Sequence, residues 1–279
     1  MTPFIVAIIL SAAILHAVWN AIVKTATDRT TTLGLVAFGH VIPGAVMVIL
    51  LPLPELESLL YVALSTVVHF GYFYMLGRAY QHGDLSVVYP IARGIVPALV
   101  GLWAMIFVGE VLPLQAWLGI GLIAVGIQLS SWKALRSGVG LAALGYAVGT
   151  GVCISVYSLV DGVGVRLSGN TLSYWAWGAF MHCFVAMFVF VRKRETLPQL
   201  PARVWLLGIL GGLVSMSAYG LVLYAKNFAP LGAVSALRET SVIFAALIGF
   251  VFLREGNWKR RLSAAVLMAV GVGVIGTAV

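Results

Sequence analysis

Apolar residues run along this chain in long, nearly unbroken stretches rather than in alternation with polar ones. A helix of about 20 such residues spans a bilayer. Ten stretches reach that length, at about 3–24, 31–53, 57–79, 85–108, 112–131, 137–160, 170–191, 202–225, 230–253 and 259–278. The connections between them are short and carry helix-ending residues: Pro52 and Pro54, Gly83, Gly109-Glu110 and Pro230. Pro and Gly punctuate helices. A membrane β-barrel would alternate apolar and polar residues instead. The pattern predicts an all-α polytopic membrane protein of ten transmembrane helices, with no room for a soluble domain.

Composition agrees. Of 279 residues, 61% are hydrophobic and 9% are charged, against about 25% charged in a soluble domain. Mean hydropathy is +1.05. So few charges cannot coat a soluble fold of this size, which excludes a soluble enzyme. The net charge of +8 has another explanation. Of 17 Lys and Arg, 13 fall in odd-numbered connections, while even-numbered connections hold only Arg166 and Lys226, and Arg93 and Arg238 lie inside spans. Cytoplasmic connections of a membrane protein collect basic residues. The odd connections are therefore expected in the cytoplasm, with both termini outside a bacterial inner membrane. Nucleic acid is not an expected partner. The first stretch lacks a basic leader and is expected to stay as a helix rather than be cleaved. Cys153 and Cys183 sit in apolar runs with no disulfide or metal spacing, so no metal is expected.

The chain also repeats itself. Residues 93–110 read RGIVPALVGLWAMIFVGE and residues 238–255 read RETSVIFAALIGFVFLRE. The offset of 145 pairs Arg93 with Arg238 and Glu110 with Glu255; it also pairs Tyr74 with Tyr219 and Ala124-Val125-Gly126 with Ala269-Val270-Gly271. Two halves of five spans follow, at 1–133 and 134–279. An odd number of spans per half inverts one half relative to the other. Inverted repeats are characteristic of secondary transporters, whose site lies near the midplane between the halves.

With ten spans, inverted halves and glutamates ending the fourth and ninth spans, the chain resembles the drug/metabolite transporter superfamily, EamA-like branch. A narrower similarity joins HAVWNAIVK at 16–24 and YPIARG at 89–94 to a subgroup found beside phosphonate-utilisation genes. The superfamily resemblance implies a central cavity lined by the third, fourth, eighth and ninth spans with the first and sixth. It also gives Glu110 and Glu255 a structural role.

Ionisable residues inside a span face a cavity or a partner. Arg93 and Arg238 lie deep in the fourth and ninth spans, and Glu239 follows Arg238. Arg93 is expected either to pair with Glu239 across the repeat interface or to contact substrate. His16, Trp19, Asn20 and Lys24 share one stripe of the first span, since residues three and four apart are helix neighbours. Trp19 and Asn20 are candidate cavity residues. His69 and Tyr72 share a face of the third span, Tyr89 lies one turn before Arg93, and Tyr157 and Tyr219 add polar tips to the sixth and eighth. Pro90 and Pro97 are expected to kink or break the fourth span, because proline removes a helical hydrogen bond. His40 and His182 are expected at packing or peripheral positions, Asp161 in solvent near the outer surface, and Trp175 and Trp177 in an interfacial aromatic belt.

No Gly-x-x-x-x-Gly-Lys-Ser/Thr run is present, so direct nucleotide drive and a nucleotide cofactor are not expected. The expected function is secondary transport of a small polar metabolite, anionic or zwitterionic, such as an amino acid or aminophosphonate. Export of lipophilic or quaternary cations is the alternative, and a membrane-embedded enzyme the competing class. Partners are the substrate and the bilayer, with protons if transport is coupled; the protein is expected as a monomer or homodimer. Glu239 is the expected proton carrier, with His16 and His69 as runners-up.

Overall fold

The computed structural model describes residues 1–24, 26, 28–83, 85–130, 132, 140–245, 247 and 258–279. Side chains are further left aside at 24, 29, 80, 85–87 and 258–261. Ten helices are labelled in chain order: α1 (Pro3–Lys24), α2 (Arg29–Leu50), α3 (Leu56–His82), α4 (Leu85–Phe107), α5 (Leu114–Ser130), α6 (Leu141–Leu167), α7 (Thr171–Arg192), α8 (Ala202–Lys226), α9 (Leu231–Arg238) and α10 (Trp258–Ala278). Seven of them, α1–α4 and α6–α8, are long and apolar enough to cross a membrane. The apolar parts of α5 and α10 are shorter, and the described part of the ninth span comprises α9 and then helical residues 241–245 and 247.

Polar residues start several of these helices. Asp28 accepts a hydrogen bond from the Thr31 amide at 3.1 Å and caps α2. Asn170 accepts from the Leu172 and Ser173 amides and caps α7. Such caps satisfy amides that the first helical turn leaves free. At the end of α4, Gly109 takes a left-handed φ of 75°, which glycine adopts at no steric cost. The chain then folds back so that the Glu110 amide bonds Ala104 O at 3.1 Å, and Glu110 is delivered into the bundle.

The halves pack as exchanged copies. α3 lies on α6 as α1 lies on α8; α4 lies on α6 as α1 lies on α9; α2 lies on α8 as α3 lies on α7. The pairs α2–α7, α4–α9 and α5–α10 lie on the pseudo-twofold itself. Small residues permit the close crossings. A Cβ on Gly119 would meet Gly271 O at 2.8 Å, and one on Gly126 would meet Ala264 O at 3.0 Å. The offset of 145 converts one of these contacts into the other, so α5 and α10 cross at a symmetric seam.

Two expectations change here, the place of the break and the end of the sixth span. α4 stays helical through Pro90 and Pro97. Pro90 O accepts a hydrogen bond from Gln128 Nε2 of α5 at 3.1 Å, so a neighbouring helix serves a carbonyl beside the proline. The interruption falls in the ninth span instead, at Glu239-Thr240. There the bonds tighten to three-residue spacing: Thr240 N to Leu237 O at 3.1 Å and Val242 N to Glu239 O at 3.0 Å. Thr240 Oγ1 also bonds Leu237 O at 2.6 Å, the local competition by which Ser and Thr disturb helices. Finally, α6 runs seven residues past its expected end, to Leu167. Arg166 therefore belongs to a helix and not to a connection.

Candidate functional site

Two buried polar groups lie between the halves. The first joins the fourth span to the ninth. Arg93 Nε approaches Glu239 Oε2 at 2.7 Å. Arg238 Nη2 stands 3.9 Å from Glu239 Oε1, an ion pair beyond hydrogen-bonding reach. Glu239 is fully buried, and Arg93 and Arg238 are only 5% and 4% exposed. The tightened turn at 239–240 carries the carboxylate toward α4. Tyr89, one turn before Arg93, places its ring centroid 5.9 Å from the guanidinium carbon, within range of a cation–π contact.

Two guanidiniums share one carboxylate here. Among the described residues, the buried atoms here without a hydrogen-bond partner are Nε and Nη2 of both arginines, the two carboxylate oxygens of Glu239, which meet the arginines as ion pairs, and the hydroxyls of Ser235 and Ser241. Buried donors without acceptors are unfavourable. The arrangement is therefore suited to bind an anion: a carboxylate or phosphonate would meet an arginine fork in two parallel hydrogen bonds.

The second group surrounds a small cavity enclosed by α2, α3, α6, α7 and α8, with about 40 Å³ open to a water-sized molecule. His40, His69 and His182 line it with Asp161, Tyr174 and Tyr219. The ring centroids of His40 and His182 are 4.5 Å apart, and those of His69 and His182 are 5.6 Å apart. His69 also stacks on Tyr157 at 4.2 Å, with Tyr72 against the edge of that pair. Asp161 is 4% exposed. It accepts hydrogen bonds from Tyr174 at 3.0 Å and from Tyr219.

The predicted residues thus divide. Arg93, Arg238, Glu239 and Tyr89 form the first group; His69, Tyr72, Tyr157 and Tyr219 belong to the second. Trp19 and Asn20 turn to their own helix: Trp19 Nε1 bonds His16 Nδ1 at 3.2 Å, and Asn20 Nδ2 bonds His16 O at 2.7 Å. Glu255 and the side chain of Lys24 lie outside the description. Glu110 ties the halves together, accepting from Arg166 Nη1 at 2.5 Å and from the Leu231 amide at 2.8 Å.

Three residues, Asp161, His40 and His182, are placed differently from the sequence reading. Asp161 is buried rather than solvated, because α6 continues six residues beyond it. His40 and His182 line the cavity rather than the periphery. Trp175 lines it too and donates to Met216 O at 3.1 Å. Sequence reasoning also missed Lys226, the last residue of α8. It is 1% exposed, and its ammonium donates to Ser158 O at 2.9 Å. The nearest available signal was the spacing of 142 between the two histidines, one turn short of the repeat offset and so on the same helix face. Among the described residues, no group of three or more His, Cys, Asp or Glu is arranged to hold a metal ion.

Ten helices in two inverted halves, with buried charges where the halves meet, define a polytopic membrane protein that moves small molecules. The model of the EamA-like transporter family matches residues 3–132 and 141–277, and the chain belongs to that family. A crystal structure of a protein 17% identical to this chain superimposes with a TM-score of 0.78 over 99% of each chain, which speaks for the fold. No curated protein matches in sequence.

Proposed function

We propose that the protein is a secondary transporter of a small anionic or zwitterionic metabolite in a bacterial inner membrane, with both termini outside. The observation that carries this reading is the charge balance where the fourth span meets the ninth: among the described residues, Glu239 is the one carboxylate within 4.0 Å of Arg93 and Arg238. A buried surplus cation is costly, and a substrate carboxylate or phosphonate removes it. Glu239 then competes with substrate for Arg93. In a proton-coupled cycle, substrate arriving at the arginine releases the glutamate to take up a proton; in a uniporter the glutamate stays ionised throughout. The 40 Å³ cavity admits a water or two, so passage of a metabolite requires the halves to move apart.

The test is transport by Arg93→Gln in proteoliposomes against a panel of amino acids, aminophosphonates and quaternary amines. Loss of zwitterion or anion transport with a folded protein supports the reading. Retained or improved export of a quaternary cation refutes it. Glu239→Gln is assayed beside it: loss of pH-driven accumulation with exchange retained supports coupling at that carboxylate, and full accumulation removes Glu239 as the carrier.

A further inference from the structure

The histidine-lined cavity has a donor and acceptor balance that asks for one more hydrogen. His69 Nδ1 lies 2.8 Å from Ser65 O, and His182 Nδ1 lies 2.9 Å from Gly178 O. A carbonyl only accepts, so each Nδ1 carries the hydrogen. In a neutral ring the other nitrogen, Nε2, is then a bare acceptor. His40 Nε2 is buried and has no partner among the described residues. The tyrosine hydroxyls that could have donated to these rings are taken: Tyr174 and Tyr219 both donate to Asp161. Acceptors therefore crowd a narrow pocket whose lining includes one carboxylate, Asp161, 4% exposed.

We propose that this chamber is a proton-binding site between the two halves, in which His40, His69 and His182 share one proton and Asp161 supplies the countercharge. Imidazole is the side chain that changes charge near neutral pH. Rings 4.5 and 5.6 Å apart repel one another when more than one is charged, and interacting groups titrate as a unit. The surrounding charges set the same limit. From α6, Asp161 favours a first proton. From α8 and α9, Lys226 and Arg238 lie in electrostatic range of His69 and oppose each proton, so that with Asp161 alone as countercharge a second is excluded. The other titratable groups against the rings are phenols, those of Tyr72, Tyr157, Tyr174 and Tyr219. His40 and His69 come from the first half and His182 from the second, so the proton sits on a contact that moves when the halves move. The site is separate from Glu239 and stands whether or not the arginines meet substrate.

The test is a pH titration of the wild-type protein labelled with 15N-histidine, followed by NMR in lipid vesicles. The chain has five histidines, and His82 is exposed and serves as the solvent reference. At high pH the Nδ1–H tautomer is expected for His69 and His182. On acidification the three cavity rings together gain one positive charge, in a step distinct from that of His82. Asp161→Asn is expected to weaken this proton uptake about tenfold or more, as loss of a neighbouring charge does, while Glu239→Gln leaves it in place. Nε2–H tautomers at high pH, three independent full protonations, or no charge gained down to pH 5 would each overturn the proposal. So would loss of the step in Glu239→Gln, which would make Glu239 the proton site instead.

Discussion

Glu239 is held by two guanidiniums, and this asymmetry predicts how single substitutions rank. Glu239→Gln leaves two buried cations without a carboxylate, while Arg93→Gln leaves a balanced Arg238–Glu239 pair. Breaking a buried pair by removing one partner costs about 3–5 kcal/mol. Thermal unfolding in detergent is expected to show Glu239→Gln near that range and Arg93→Gln well below it. The double substitution should recover part of the loss. Equal losses for the two single variants would mean that Arg238 does not share the carboxylate. Elsewhere, Asp28 links the start of α2 to Lys193 after α7 at 2.8 Å. Burial pushes its carboxyl up, but hydrogen bonds from Lys193 and from Thr31, with the lysine charge, bring it down to about 2. A depressed carboxyl stabilises the fold above its unfolded value near 3.9 and loses that contribution as pH falls toward the folded value. The pair is about a third exposed, so its share is about 1 kcal/mol or less. Protection factors at residues 28–32, referred to the intrinsic exchange rate at each pH, are expected to fall between pH 4 and pH 2 in the wild type; in Lys193→Gln they should already be low at pH 7.

At the scale of elements, helix crossings depend on glycine only where a backbone lies opposite. A Cβ on Gly212 of α8 would meet Val36 O of α2 at 2.4 Å, and one on Gly39 would meet Ile209 O at 2.6 Å. A carbonyl in a helix cannot swing aside as a side chain can. Gly212→Ala is therefore expected to destabilise by about 1–3 kcal/mol through overpacking. At Gly77, Gly121 and Gly145 an added Cβ meets nothing within 4 Å. There, alanine should leave unfolding unchanged or raise stability by up to about 1 kcal/mol, from its better helix propensity. Parallel thermal melts of the two groups check the contrast. Destabilisation of equal size in both groups would mean that helix flexibility, not crossing distance, controls the response.

Across the whole molecule, one end of the bundle is closed by a polar staple. Arg166 donates to Lys226 O at 2.7 Å, to Ala229 O at 3.0 Å and to Glu110, whose other oxygen accepts from the Leu231 amide. This joins the first half to the second through the turns after α4 and α8 and the last turn of α6. Alternating access requires such a closure to open. Glu110→Gln weakens three elements' contacts at once and is expected to raise thiol labelling of a Leu231→Cys reporter several-fold, since that position is fully buried. Unchanged labelling would show that the staple does not gate this end. Ten spans also place both termini on one side of the membrane, and tags at Met1 and Val279 should show equal protease sensitivity in spheroplasts. Opposite sensitivities would remove one span from the count.

Helix number, the two halves and the buried arginines could be read from the chain because each depends on local composition. A span must be apolar over its length, whatever it packs against, and a charge inside it stands out against that background. The repeat was visible because Arg93, Arg238, Glu110 and Glu255 recur at one offset, and the pairing of Arg93 with Glu239 followed from their depth and opposite sign. Rotation about the helix axes was less accessible. Apolar residues surround these helices on all sides, since lipid and protein interior are equally apolar, so the pattern does not mark which face looks inward. For that reason His40 and His182 were set aside from a cavity that they line. Asp161 and Lys226 were misplaced for a related reason: near a span end, a polar residue reads as solvated until neighbouring helices cover it. Which helix covers which is a property of the packed halves. It brought three histidines and a carboxylate from four helices into one chamber, a proximity that no local run of residues encodes.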